Sequence, residues 1–111
     1  MDAVRADVEK TREEKICAIG RYYGYDAQSR QCIEEMAELT QAINKYWRCC
    51  GNGQSTDKTE RECMDNLIEE IADVQIMLEQ MKFLLTEKHD VNRIIGEKLD
   101  RQMERIKCES K

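Results

Sequence analysis

Along most of its 111 residues the chain returns to an apolar side chain every three or four positions, and no proline interrupts the pattern. A period near 3.6 marks an amphipathic helix, whose interior proline would destabilise by about 3 kcal/mol. The fold class is therefore all-α. Only 5 glycines, with 41% hydrophobic and 37% charged residues, suit long helices with one wet face rather than a disordered tail or a β-sandwich. Residues 1–111 fit one domain with a modest core, which a partner subunit would enlarge.

The periodicity predicts four helices. The first, 2 to about 22, has a weak stripe through Val4, Val8 and Ile16 and ends at Tyr22-Tyr23-Gly24-Tyr25. Asp26 is placed to cap a second, about 27 to 49, which carries Ile33, Met36, Leu39, Ile43, Tyr46 and Trp47. The polar stretch GNGQSTDKT is the clear loop, with Thr56, Asp57 or Thr59 available as the next cap. A third helix runs from 60 to about 86, and a fourth from about 90 to 108 with Val91, Ile95, Leu99 and Ile106 on one face. Short connections imply a four-helix bundle-like module that packs against a second copy.

A net charge of -5 offers no field to attract polymeric nucleic acid or an anionic membrane. The N-terminus MDAVRADVEKTREEK is too charged for a signal peptide, and no apolar run approaches the roughly 18 residues a bilayer span needs. A cytoplasmic location is expected. There the six cysteines (17, 32, 49, 50, 63 and 108) would be thiols acting as small hydrophobes, with no CxxC spacing and only His89 to suggest zinc.

Two segments, CIEEMAEL (32–39) and LIEEIADV (67–74), are nearly the same word written 35 residues apart. The flanking sequence does not extend the match, so duplication carries little weight. On a helical wheel Glu35 falls between Leu39, Ala42 and Tyr46, inside the apolar arc, with Glu38 at its margin and Glu34 turned away. Glu70 falls between Met77 and Met81 and Asp73 beside Leu84, while Glu69 faces water. An unpaired carboxylate taken out of water costs several kcal/mol, so four of them call for protonation, basic partners or a metal. Four oxygen donors without histidine suit a hard divalent cation. Lys98, Arg101 and Arg105 border the apolar arc of the last helix, either as a solvated edge or as cations facing the same cavity. In the second arrangement, metal and cations flank a multiply charged anion such as a phosphate chain.

The order of these motifs, Glu34-Glu35-Met36-Ala37-Glu38 and then Glu70-Ile71-Ala72-Asp73, resembles the MazG-type all-α nucleoside triphosphate pyrophosphohydrolases, whose superfamily includes dimeric dUTPases, dCTP pyrophosphatases and phosphoribosyl-ATP pyrophosphatases. The resemblance covers about residues 28 to 106. It implies Mg²⁺, with Mn²⁺ as a substitute, held by Glu35, Glu38, Glu70 and Asp73, which are also the catalytic set. It implies phosphate contacts from Lys98 and more weakly from Arg101 and Arg105, and cleavage of a nucleoside triphosphate between the α and β phosphates. Trp47 is a base-stacking candidate or a packing residue at the core or subunit interface, with Asn44 and Lys45 as possible neighbours. A homodimer or homotetramer is the implied assembly. The competing expectation is a non-catalytic helical interaction protein on the same scaffold. A carboxylate-bridged di-iron bundle would need Glu-x-x-His motifs, which a single histidine between helices does not provide.

Overall fold

The computed structural model describes residues 9–85 and 88–110, which are helical apart from the caps and one loop. Val4 and Val8 lie outside the described residues. The helices are α1 (Arg12–Cys49), α2 (Glu60–Leu85) and α3 (Lys88–Glu109), and none is long and apolar enough to cross a membrane.

Among the described residues there are three runs rather than four, because the predicted break at the tyrosine and glycine cluster is a kink within α1. Gly24 alone leaves helical geometry, at φ 82 and ψ 167. That region is essentially closed to side-chain-bearing residues. Asp26 is not the cap expected of it. The helix has already resumed there, and the Asp26 carbonyl accepts a hydrogen bond from Ser29 Oγ at 2.9 Å.

Helices α1 and α2 start at capping boxes. Thr11 Oγ1 accepts from Glu14 N at 3.1 Å while Thr11 N donates to Glu14 Oε1 at 2.8 Å. Thr59 and Glu62 repeat the arrangement ahead of α2 at 3.1 and 3.0 Å, so Thr59 is the cap among the three candidates. Inside the loop, Gly53 (φ 59) lies against the Trp47 ring, where a Cβ would come within 2.8 Å of Cζ3.

Helices α1 and α2 form an antiparallel hairpin. Cys49 meets Cys63 near the loop, Gln28 Nε2 donates to the buried Gln80 Oε1 farther along, and Gly20 approaches Leu84 at the far end. The register follows from the repeated word. Its two copies sit five sevens apart in sequence, so each residue has a counterpart in the same helical phase. Cys32 and Leu39 match Leu67 and Val74 facing the partner helix, Ile33 matches Ile68 outside, and Glu35 matches Glu70 half-buried.

Seven-residue rows sort the hairpin into three surfaces. Gln28, Glu35, Ala42 and Cys49 of α1 face Cys63, Glu70, Met77 and Leu84 of α2, which places both glutamates within core rows. Met36 and Ile43 with Met64, Ile71, Leu78 and Leu85 lie on one flank and are half-buried to exposed. Glu34, Glu38, Glu69 and Asp73 lie on the other flank, all exposed. The hairpin thus has an apolar face and an acidic face.

Helix α3 packs on α2 and not on α1, bringing Val91 and Ile95 against Leu78, Met81 and Leu85 around a shallow apolar cavity of about 330 Å³. By itself the chain is a hairpin with a lightly attached third helix. The arrangement is all-α, as expected, with three helices among the described residues.

The sequence reading of six thiols is also corrected. Cys49 and Cys63 are disulfide-bonded, tying the end of α1 to the start of α2, while Cys17, Cys32, Cys50 and Cys108 are free. The hairpin brings the two together across the loop, a proximity that cysteine spacing alone does not reveal.

Gly20 supplies a stability test. It is buried in α1, and a Cβ there would sit at ordinary contact distance, 3.6 Å from Leu84 Cδ1 and 3.7 Å from Gln80 Cγ. Gly20→Ala is expected to stabilise by about 0.5–1 kcal/mol through helix propensity and a less flexible unfolded chain. A lower urea midpoint than the parent would show that the site has no room.

Candidate metal centre

One oxygen from each of Glu35, Glu38 and Glu70 lies within 4.8 Å of the others, across the acidic edge of the α1–α2 interface. Glu35 and Glu70 are half-buried and Glu38 is exposed. The core rows explain this, since each buried glutamate occupies a position where its neighbours one heptad away are Gln28 and Ala42, or Cys63 and Met77.

Gln31 Nε2 donates to Glu35 Oε1 at 2.8 Å and fixes that carboxylate. The other oxygens, Glu35 Oε2 and Glu70 Oε2, are buried without a hydrogen-bond partner. Unsatisfied buried polar atoms are uncommon because each costs about 1–3 kcal/mol, and more when charged. None of the ion pairs seen among the described residues involves this trio; they join Arg61 to Asp65, Lys82 to Glu79 and Arg93 to Glu97. An all-oxygen donor set with partnerless buried oxygens fits a hard divalent cation.

Asp73 is exposed and stays outside the group, although it is the counterpart of Glu38 in the repeated word. Its side chain is one methylene shorter. The basic edge of the last helix is not brought to the carboxylates either. Lys98, Arg101 and Arg105 are exposed on α3, which makes no close backbone contact with α1, and the two arginines flank a surface depression with Glu104, Cys108 and Glu109 of their own helix.

Trp47 is exposed and lies nine residues beyond Glu38, about half a turn round the helix, so it belongs to the apolar flank. Lys45 is seven residues beyond Glu38 and shares its phase. With Lys58, Asn66 and the acids Glu62, Asp65 and Glu69 it lines a cavity of about 450 Å³ at the loop end of the acidic side. Both lysines therefore lie at the loop end of the side that carries the carboxylates. The spacing of Glu38 and Lys45 was the available signal for the first, but nothing local marks Lys58.

Electrostatics point the same way. The neighbouring charges of Glu35 and Glu70, in that order, raise the proton affinity of Glu38 above its usual 4.5, with desolvation adding to them. A carboxyl whose folded-state value is raised stabilises the fold fully below the unfolded value and loses that contribution as pH climbs through the folded one. The capping carboxylates Glu14 and Glu62 behave oppositely, because hydrogen bonds from the backbone of Thr11 and Thr59 lower theirs. The parent should therefore gain stability relative to Glu38→Gln as pH falls from neutral towards 4.5 in chelator. Parallel melting-temperature profiles for the two proteins would remove the proposed repulsion.

No family model matches the chain, and neither a curated protein nor a solved structure shows significant similarity to it.

Proposed function

We propose that the protein is a Mg²⁺-dependent nucleoside triphosphate pyrophosphohydrolase, which converts a (deoxy)nucleoside triphosphate to the monophosphate and pyrophosphate and so cleanses or regulates a cytoplasmic nucleotide pool. The observation that carries this reading is the convergence of Glu35, Glu38 and Glu70 with two buried, partnerless oxygens. The resemblance of the two acidic motifs supplies the reaction class.

Glu35, Glu38 and Glu70 would hold the cation. When bound it supplies charge neutralisation at phosphate oxygens and a water acidic enough to attack phosphorus near neutral pH. Gln31 keeps Glu35 in orientation through its 2.8 Å hydrogen bond. Asp73 lies one turn from Glu70 and outside the cluster, where it would accept the proton of the attacking water. Lys45 and Lys58 border the same side of the hairpin and suit the negative phosphate chain.

The test is incubation with a panel of ribo- and deoxyribonucleoside triphosphates plus Mg²⁺, with products resolved by chromatography. Monophosphate and pyrophosphate are expected. Diphosphate with orthophosphate contradicts the cleavage position. The second reading, a non-catalytic interaction protein, is favoured by the exposed apolar flank. It predicts no rise in melting temperature when Mg²⁺ and a nonhydrolysable deoxynucleoside triphosphate are added, whereas the enzyme should be stabilised.

A further inference from the structure

We propose that the Cys49–Cys63 disulfide is a redox switch for the carboxylate cluster. Formed, it holds the loop end of the hairpin together so that Glu35, Glu38 and Glu70 converge; reduced, it releases that end and weakens their grip on a divalent cation. The inference rests on the metal reading of the cluster and not on the nucleotide reaction.

The bond and the cluster share one short stretch of the interface. Cys63 precedes Glu70 by seven residues on a core row, two turns or about 10 Å along α2. Ala42 lies between Glu35 and Cys49 on the facing row of α1. On the loop side of the carboxylates, Ala42 and Cys63 are the buried residues among those described, and both are small. On the other side the interface buries Gln28, Cys32, Val74, Met77 and Gln80. Packing therefore secures one side of the cluster, and the covalent bond secures the other.

Noncovalent support at the loop end is slight. Among the described residues one hydrogen bond joins the end of α1 to the start of α2, from Cys50 Sγ to Glu60 Oε1 at 3.3 Å, and it is exposed. A thiol is a weak donor. In the connection itself, Asn52 Nδ2 donates to the Trp47 carbonyl at 3.0 Å and Lys58 N to Thr56 Oγ1 at 3.3 Å, and neither reaches across to α2.

The cluster itself pushes this end apart. Three carboxylates with oxygens within 4.8 Å of one another repel, and parting the helices towards the loop relieves them. A bound cation reverses the sign. The bond and the cation thus favour the same arrangement, and their coupling is reciprocal: the disulfide raises cation affinity by the factor by which the cation favours the disulfide. Lys58 lies within the loop that the bond closes, and Cys63 lines the cavity that it shares with Lys45, so reduction frees that lysine as well.

The switching step is thiol–disulfide exchange. A thiolate of a reducing dithiol attacks one sulfur of the bond and forms a mixed disulfide, and the second thiol of the reductant then displaces the protein sulfur. Two electrons pass to Cys49 and Cys63, which become thiols on taking up the two protons of the dithiol, and the dithiol departs as its own disulfide.

The test is calorimetric titration with Mg²⁺ in the absence of nucleotide. The dithiol-reduced parent and Cys49→Ser/Cys63→Ser are each expected to bind Mg²⁺ at least about fivefold more weakly than the oxidised parent, with helical circular dichroism retained. In a dithiol redox buffer, saturating Mg²⁺ is expected to shift the thiol–disulfide equilibrium of the parent towards the bond by the same factor, and to leave that of Glu70→Gln unmoved. Equal Mg²⁺ affinities of the oxidised and reduced parent overturn the switch. A reduced parent that loses its helical signal also overturns it, because the bond would then hold the whole fold rather than one end. Absence of Mg²⁺ binding in every form overturns the metal centre and the switch with it. Coupling found in a protein that hydrolyses no nucleoside triphosphate upholds the switch and discards the pyrophosphohydrolase.

Discussion

Glu70→Gln is expected to reduce pyrophosphate release by about a thousandfold or more while leaving the helices intact, a loss of at least about 4 kcal/mol of transition-state stabilisation. The substitution keeps the size and shape of the side chain and removes its charge. Glu70 occupies a core row between Cys63 and Met77, and its Oε2 is buried with no partner, so the carboxylate is poorly solvated without a cation. Charge removal also relieves Glu38, whose proton affinity is raised by Glu35 first and Glu70 second. In chelator the variant should therefore melt no lower than the parent. The increase in melting temperature that Mg²⁺ gives the parent should be absent from it. These two measurements separate binding from catalysis. A variant that still responds to Mg²⁺ shows that Glu70 is no ligand, and activity within about tenfold of the parent removes it from the catalytic set. A variant that loses the Mg²⁺ response while the parent turns over no nucleotide would keep the metal centre and discard the pyrophosphohydrolase.

The helices and the two inward glutamates were legible in the sequence because both depend on phase within one helix. Glu35 and Glu70 lie inside the apolar arcs that the wheel assigns, and the chain half-buries them there. What could not be read depends on distance between segments. Asp73 shares the phase of Glu38, yet the trio forms without it, and one methylene of reach is the difference seen between them. Lys98, Arg101 and Arg105 are exposed on α3, and the direction in which α3 leaves α2 keeps them from the carboxylates. Trp47 illustrates the same limit within a single helix. Proximity in sequence suggested a base pocket, while nine residues place it half a turn from Glu38. The break at Tyr22-Tyr23-Gly24-Tyr25 was legible as an interruption, but whether it becomes a loop or a kink depends on α2 packing beneath both halves of α1.

Reduction of the Cys49–Cys63 disulfide is expected to cost about 3 kcal/mol, because it closes a loop of 14 residues and so restricts the unfolded chain. For a domain of this size that is a fall of roughly 10 °C in melting temperature. Cys49→Ser and Cys63→Ser should each show the same fall and should no longer respond to a dithiol. Denaturing alkylation of the native protein should modify four cysteines, namely 17, 32, 50 and 108, and six after reduction. Cys50 is the thiol adjacent in sequence to the bond, and its raised proton affinity slows any attack on it. Partial desolvation first, and then its hydrogen bond to Glu60 Oε1 at 3.3 Å, raise the proton affinity of this exposed thiol, so little thiolate is present at neutral pH. Glu60→Gln is accordingly expected to hasten thiol–disulfide exchange at this corner. The bond also bears on where the protein works, since a cytoplasm rich in reduced thiols disfavours disulfides while an oxidising compartment preserves them. Protein trapped by acid quenching directly from cells and alkylated at four cysteines places the folded chain under oxidising conditions. Six modified cysteines would mean that the hairpin functions with the tether open, held by its core rows and the Gln28–Gln80 hydrogen bond.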